Sequence, residues 1–192
     1  VSATGTAPLS YQWRRNSVNI SGASGSSYTR HNVQPGDAGN YSVVVTNAGG
    51  RVTSGNAVLT VNVPPTISAQ PQSQTVNQGG TALFSVTASG TAPLSYQWRR
   101  NEVNIPGANS SAYTCAGVQA GDAGDYSVLV VNVAGSITSA VSVLTVNLAP
   151  LITTQPQDQT VNPGGTAVFT VSAAGTPPLS YQWRFNNVDL AG

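Results

Sequence analysis

Three Tyr-x-Trp pairs, Tyr11/Trp13, Tyr96/Trp98 and Tyr181/Trp183, have the residue types of a stacking ladder for sugar rings or bases. Arg14-Arg15 and Arg99-Arg100 suit a repeated anion contact, and Asp37 and Asp122 are recurring carboxylates of the kind that hold a cation. Each has a structural reading that the spacing favours. Tyr and Trp two residues apart on a strand share one face, which places the tryptophans in a core. Long arginine stems cover apolar surface, and Phe185 takes the place of the second arginine in the third pair. A calcium site wants roughly six to eight oxygen ligands, and each copy of the repeat introduced below holds too few carboxylates to build one. Cys115 aligns with Arg30, which predicts a half-buried, inert thiol, and His31 has no nucleophile or carboxylate partner nearby in sequence. The residues therefore predict no catalytic, cofactor-binding or metal site.

The composition narrows the function classes further. Seven basic and 6 acidic residues give a net charge of +1, and every basic residue is an arginine. A charge this thin cannot neutralise a run of phosphates, so no nucleic-acid partner is expected. One Cys and one His exclude a disulfide framework and a Cys/His zinc site within these residues. No stretch approaches eighteen uninterrupted apolar residues, and no membrane span is expected. The 25 Val and 20 Thr suit pleated, half-buried surfaces, while 20 Gly and 12 Pro make turns. The chain reads as all-β.

An internal repeat organises those strands. GTAPLSYQWRRN runs from Gly5 to Asn16 and again from Gly90 to Asn101, and GTPPLSYQWRFN runs from Gly175 to Asn186, giving a period of 85 residues. Residues 1–63 match residues 86–148 at 41 positions without a gap, so every loop length is kept. A period of this size with no helical pattern predicts one complete β domain per copy, since solenoid and propeller units are about half as long. The copies are assigned to residues 1–63 (partial), 64–148 (complete) and 149–192 (partial), with stiff joins at Pro64-Pro65 and Ala149-Pro150. Successive copies are expected end to end, as a rod.

Within the complete copy, Ala82, Phe84, Val86 and Ala88 share a face, and so do Tyr96 and Trp98. A last hairpin is expected to pair Tyr126–Asn132 with one continuous run, Ser136–Val146, across an Asn-x-x-Gly turn. The segment Asp122-Ala123-Gly124-Asp125-Tyr126 returns as Asp37-Ala38-Gly39-Asn40-Tyr41. With Trp98, it makes the copy resemble an immunoglobulin-like domain of the intermediate-set pattern. The resemblance implies that Trp98, Trp13 and Trp183 are core tryptophans and that Asp37/Gly39/Tyr41 and Asp122/Gly124/Tyr126 form the tyrosine corner. It also puts Val86 and Val128 where the family carries its inter-sheet cysteines, as it does Val1, Val43 and Val171. The predicted core comprises Trp13, Trp98, Trp183, Tyr41, Tyr126, Val43, Val86, Val128, Phe84 and Phe169.

A disulfide-free, cysteine-poor array of this type resembles bacterial surface proteins more than animal ones. The expected role is structural: a segment of an extracellular or cell-surface filament, stalk or long adhesin, without catalysis or cofactor. Its expected partners are further copies of the same repeat, head to tail. The alternative is an accessory module of a large secreted enzyme, with polysaccharide as a candidate ligand. Repeated exposed aromatics on a non-core strand would favour binding, and the sequence shows none. Three sequons, at Asn19, Asn40 and Asn109, do not recur at the 85-residue spacing. The partial outer copies are expected to need completion, either by further repeats or by neighbouring protomers.

Overall fold

The computed structural model describes residues 1–191, so Gly192, the last residue assigned to the third copy, lies outside the described residues. All the regular structure is β apart from two single-turn 3-10 helices, Pro35–Asp37 and Ala120–Asp122. The chain divides into two compact units, Val1–Pro64 with Gly90–Ala92, and Pro65–Ser89 with the residues from Pro93 onward.

In the second unit the residues after Pro65 fold into two facing layers. One sheet carries the strands in the order Val103–Asn104, Ser95–Arg100, Gly124–Asn132, Ser142–Asn147 and Gln74–Asn77, with Gly135–Thr138 also paired to Gly124–Asn132. Opposite it, Thr81–Ser85 pairs with Ala112–Ala116, and Thr66–Ala69 pairs with Thr87–Ser89. The alternation explains the layering, because Ala82 and Phe84 are fully buried while Thr81, Leu83 and Ser85 are exposed. Trp98, Tyr126, Val128, Val130 and Leu144 meet them from the first sheet. Val86 is buried, and Val128 lies opposite Trp98 in the ladder.

The last hairpin departs from the expected continuous run. Gly135–Thr138 and Ser142–Asn147 are separate strands, pairing with different stretches of Gly124–Asn132. The break is made by Ser139, whose hydroxyl accepts the Val128 amide at 3.0 Å in place of a backbone carbonyl and donates to the Ala140 carbonyl at 2.8 Å. A side chain that substitutes for the ladder ends it. The turn before it is held by Asn132, whose side-chain oxygen accepts the amides of Ala134 and Gly135.

The first unit repeats one layer of this arrangement. Ser10–Arg15 pairs with Val18–Asn19 and with Gly39–Asn47, which in turn pairs with Gly50–Thr53 and Ala57–Leu59. Its register matches that of the second unit: Trp13 lies opposite Val43 as Trp98 lies opposite Val128. Residues 27–31, which correspond to Ala112–Ala116, form no ladder.

Residues 149–191 give only short pairings, Leu151–Thr154 with Ser172–Ala174 and Arg184–Phe185 with Val188–Asp189. Here the core expectation fails for two residues. Phe169 is 53% exposed and Trp183 41% exposed, because no described residue stands where Tyr126 and Val128 cover Phe84 and Trp98. An apolar side chain on a strand is buried only if a second layer exists to bury it.

Candidate functional site

The most elaborate side-chain cluster is the turn before the strand Gly124–Asn132, and it is built twice. Gln119 and Asp122 bracket a 3-10 turn, and the Asp122 carboxylate accepts the Gln119 amide at 2.9 Å. The Tyr126 hydroxyl then donates back to the Asp122 carbonyl at 2.9 Å. Gly124 sits at φ +148°, and a Cβ there would meet the Asn101 side-chain oxygen at 2.6 Å. That oxygen accepts the Asp125 amide at 2.9 Å, so only glycine lets Asn101 come this close. In the first unit Asp37 accepts the Gln34 amide at 2.9 Å, Tyr41 donates to the Asp37 carbonyl at 2.8 Å, and Asn16 accepts the Asn40 amide at 3.0 Å.

The second arginine of each pair belongs to this cluster. Arg100 donates to the Asp122 carboxylate at 2.8 Å and to the Gly121 carbonyl at 3.0 Å. Arg15 donates to the Gly36 carbonyl and lies 3.6 Å from Asp37. The first arginines point elsewhere: Arg99 donates to Asn104, Arg14 to Asn19, and Arg184 of the third pair to Asp189. The arginine pairs are thus not a joint anion site. Their sequence signal was the 85-residue recurrence itself, which placed Arg15 and Arg100 beside the same motif without saying that they touch it.

Electrostatics follow the hydrogen bonds. The Gln34 amide, and after it Arg30, hold the Asp37 carboxyl below the ordinary carboxylate range. Burial pushes the Tyr126 phenol up to about 12. Among the described residues no group of three or more His, Cys, Asp or Glu side chains could hold a metal ion.

Cys115 is deeper than its alignment with Arg30 suggested, at 8% exposure. It lies opposite Ala82 in the two-stranded pairing, which turns its side chain inward. Residues 27–31 have no such partner strand, and Arg30 swings onto Asp37, its guanidinium 3.0 Å from the carboxylate. The same position therefore serves a thiol in one copy and a cation in the other. Trp98 is fully buried, with its indole donating to the Ser110 carbonyl at 2.9 Å. Trp13 is half-buried and makes the equivalent bond to the Gly25 carbonyl at 3.0 Å. No ladder of exposed aromatics runs through the copies. Tyr181 and Trp183 are exposed only where the second layer is missing.

The residues at the joins form two-bond clasps, one bond to a threonine hydroxyl and one between backbone groups. Within the first unit Val63 and Thr91 exchange two hydrogen bonds, and within the second Leu148 and Thr176 do the same. The pairs stand 85 residues apart.

Comparison with known proteins agrees with the geometry. Residues 64–132 match the family model described as an immunoglobulin domain. A titin I-band fragment of domains I67–I69 superposes with a TM-score of 0.75 at 24% identity, covering 98% of this chain and 73% of that one. Sidekick-1 immunoglobulin domains 1–4 superpose with a TM-score of 0.53 at 26% identity, covering 98% and 55%. These are tandem immunoglobulin-like domains. Among curated proteins, human Hemicentin-1 is 31% identical over 162 residues and mouse Roundabout homolog 1 is 34% identical over 175. Each alignment takes in 81% of this chain, but only 3% and 11% of those relatives' own lengths. The relatives are animal proteins, and the bacterial origin expected from the missing disulfide finds no support in them.

Proposed function

We propose that these immunoglobulin-like repeats serve a structural or adhesive role in an extracellular or cell-surface protein, as part of a filament, stalk or long adhesin, with further copies of the repeat as head-to-tail partners. The observation that carries this reading is the 85-residue period kept without insertions, with the same two-bond clasp at Val63/Thr91 and at Leu148/Thr176. A binding module varies its loops to make a site, whereas a spacer conserves geometry from copy to copy. Relatives built from many more residues, among them Hemicentin-1 and Roundabout homolog 1, are consistent with a segment of a longer array.

Force or adhesion must pass through the ends of each copy. In the complete copy, Gln74–Asn77 near its start runs parallel to Ser142–Asn147 at its end, joined from Gln74/Leu144 to Asn77/Asn147. Pulling the ends apart loads those ladder bonds together rather than one by one. No catalytic role is assigned, because the polar clusters are spent on backbone groups of the turns. The described residues also contain no helix long and apolar enough to cross a membrane.

Electron microscopy of the native material, with denaturing electrophoresis of the same sample, tests the reading. Fibres, stalks or other extended arrays of repeats are expected. Discrete particles carrying a co-purifying enzyme activity would instead favour the accessory-module role.

A further inference from the structure

Two sheets of the same register carry different outer faces. In the strand Gly124–Asn132 the side chains of Tyr126, Val128 and Val130 fill the core, so Asp125, Ser127, Leu129 and Val131 stand on the opposite face. Ser95, Gln97 and Arg99 share that face, opposite Val131, Leu129 and Ser127 in the ladder. On the other side of the strand Val143 lies opposite Asp125, and alternation turns Val141 the same way, because Ser142 between the two valines is fully buried. The outcome is apolar surface in water. Val131, Val141 and Val143 are exposed, and Leu129 is half-buried.

The first unit builds the same ladders with a more polar face. Thr46 stands in the place of Val131, Asn56 in that of Val141, and Arg51 in that of Ser136. The sheet therefore forms without these valines, and packing inside the copy does not account for them. A single exposed valine is ordinary, whereas several grouped on one face mark a contact surface.

The charges on this face complement one another. Arg99 donates its Nε to Asn104 at 3.0 Å and leaves its two terminal nitrogens without a partner, and the Asp125 carboxylate has none among the described residues. Arg99 lies opposite Ser127, two residues along the strand from Asp125, so the two stand on a short diagonal. No ion pair joins them. In the first unit Arg14 and Asn40 hold these positions and Arg51 adds a second cation, so that face has no anion to offer. One free cation beside one free anion is what a surface needs to bind its own duplicate: about a two-fold axis midway between them, each arginine meets the other chain's aspartate.

We propose that the outer face around Arg99, Asp125 and Leu129 binds the same face of a second copy of this chain. The contact sets each Arg99 guanidinium on the other copy's Asp125 carboxylate and packs each Leu129 toward the other copy's Val141 and Val143. Because the surface pairs with itself, the association is isologous and closes at a dimer. It is a lateral contact, independent of the head-to-tail reading above, and its failure leaves that reading standing.

Analytical ultracentrifugation at concentrations up to about 1 mM tests the proposal, with circular dichroism as the control for folding. The mass of the unaltered chain rises with concentration toward that of a dimer, and added salt weakens the association. Asp125→Arg and Arg99→Glu each set like charges against one another and weaken it about tenfold or more. An equal mixture of those two variants associates again, since every contact of the mixed dimer joins opposite charges. Val141→Asn, which takes the residue the first unit already folds with, weakens the dimer about tenfold and leaves the spectrum unaltered. Association that all three variants leave unchanged would place the contact elsewhere and overturn the proposal, as would a mixture that associates no better than its components. A chain monomeric at every concentration would overturn it too.

Discussion

Leu148 and Thr176 hold one another by two hydrogen bonds: the Leu148 amide donates to the threonine hydroxyl at 2.7 Å, and the Thr176 amide donates to the Leu148 carbonyl at 3.0 Å. Val63 and Thr91 form the same pair at 2.8 and 3.0 Å. Thr176→Val keeps the shape of the side chain and removes the acceptor, leaving the Leu148 amide to find water. A local loss of about 1 kcal/mol is expected. Amide hydrogen exchange at Leu148 reads it directly, with exchange faster by roughly fivefold; an unchanged rate would show that the hydroxyl contributes nothing to the join.

The two tryptophans Trp98 and Trp183 occupy the same position of the repeat, yet their replacement is expected to differ sharply. Trp98→Ala opens a cavity beside Phe84 and deletes the bond to Ser110, at a cost of about 3 to 5 kcal/mol. Trp183→Ala removes a ring that is 41% exposed and leaves no closed cavity, so a smaller loss, about 1 kcal/mol or less, is expected. Urea titrations of both variants, followed by circular dichroism, provide the comparison.

Acid sensitivity is expected to concentrate at Asp37. Its carboxyl is depressed first by the Gln34 amide and then by Arg30, so folding favours the ionised form. That contribution is present in full above the unfolded carboxyl value of about 3.9 and is lost as pH falls through the lower folded value. Asp37→Asn should therefore destabilise the protein at neutral pH and leave it little changed at the acid end. Thermal melts of both proteins from neutral pH down to about pH 2 show whether the gap closes.

Tyr126→Phe deletes the hydroxyl that closes the turn onto Asp122 while keeping the ring stacked on Phe84, and about 1 kcal/mol of stability is expected to go with it. In the parent protein the same hydroxyl should resist ionisation up to about pH 12. Burial favours the neutral phenol, so its stabilising contribution is intact below about pH 10, the unfolded phenol value, and is lost as pH rises through the folded one. Spectrophotometric titration is expected to show one tyrosine fewer in the high-pH phase of Tyr126→Phe.

What the residues alone disclosed was whatever the repeat writes in residue type. The glycine of Asp122-x-Gly124-x-Tyr126 and the alternation around Phe84 each state a local geometry that the chain then adopts. Arg100 was opaque, because an exposed arginine reads as solvated until the fold brings the Gly121 carbonyl and Asp122 to it. Ser139 was opaque for a similar reason: one hydroxyl replaces a ladder carbonyl, and no alternation of apolar and polar residues records that. Phe169 and Trp183 repeat residues that are buried in the complete copy, but burial belongs to the covering layer and not to the residue. Cys115 and Arg30 share a position and differ in depth, since only one of them lies on a paired strand.

The valines at positions 86 and 128 have a mechanical corollary. With no covalent tie between them, a copy that yields under tension can pay out its whole 85-residue length, about 300 Å of extended chain at roughly 3.5 Å per residue. A crosslink at those two positions would lock away the 41 residues between them, about 150 Å of that travel. The chain thus trades a restraint on the unfolded state for a longer extension at each rupture, equally in oxidising and reducing surroundings.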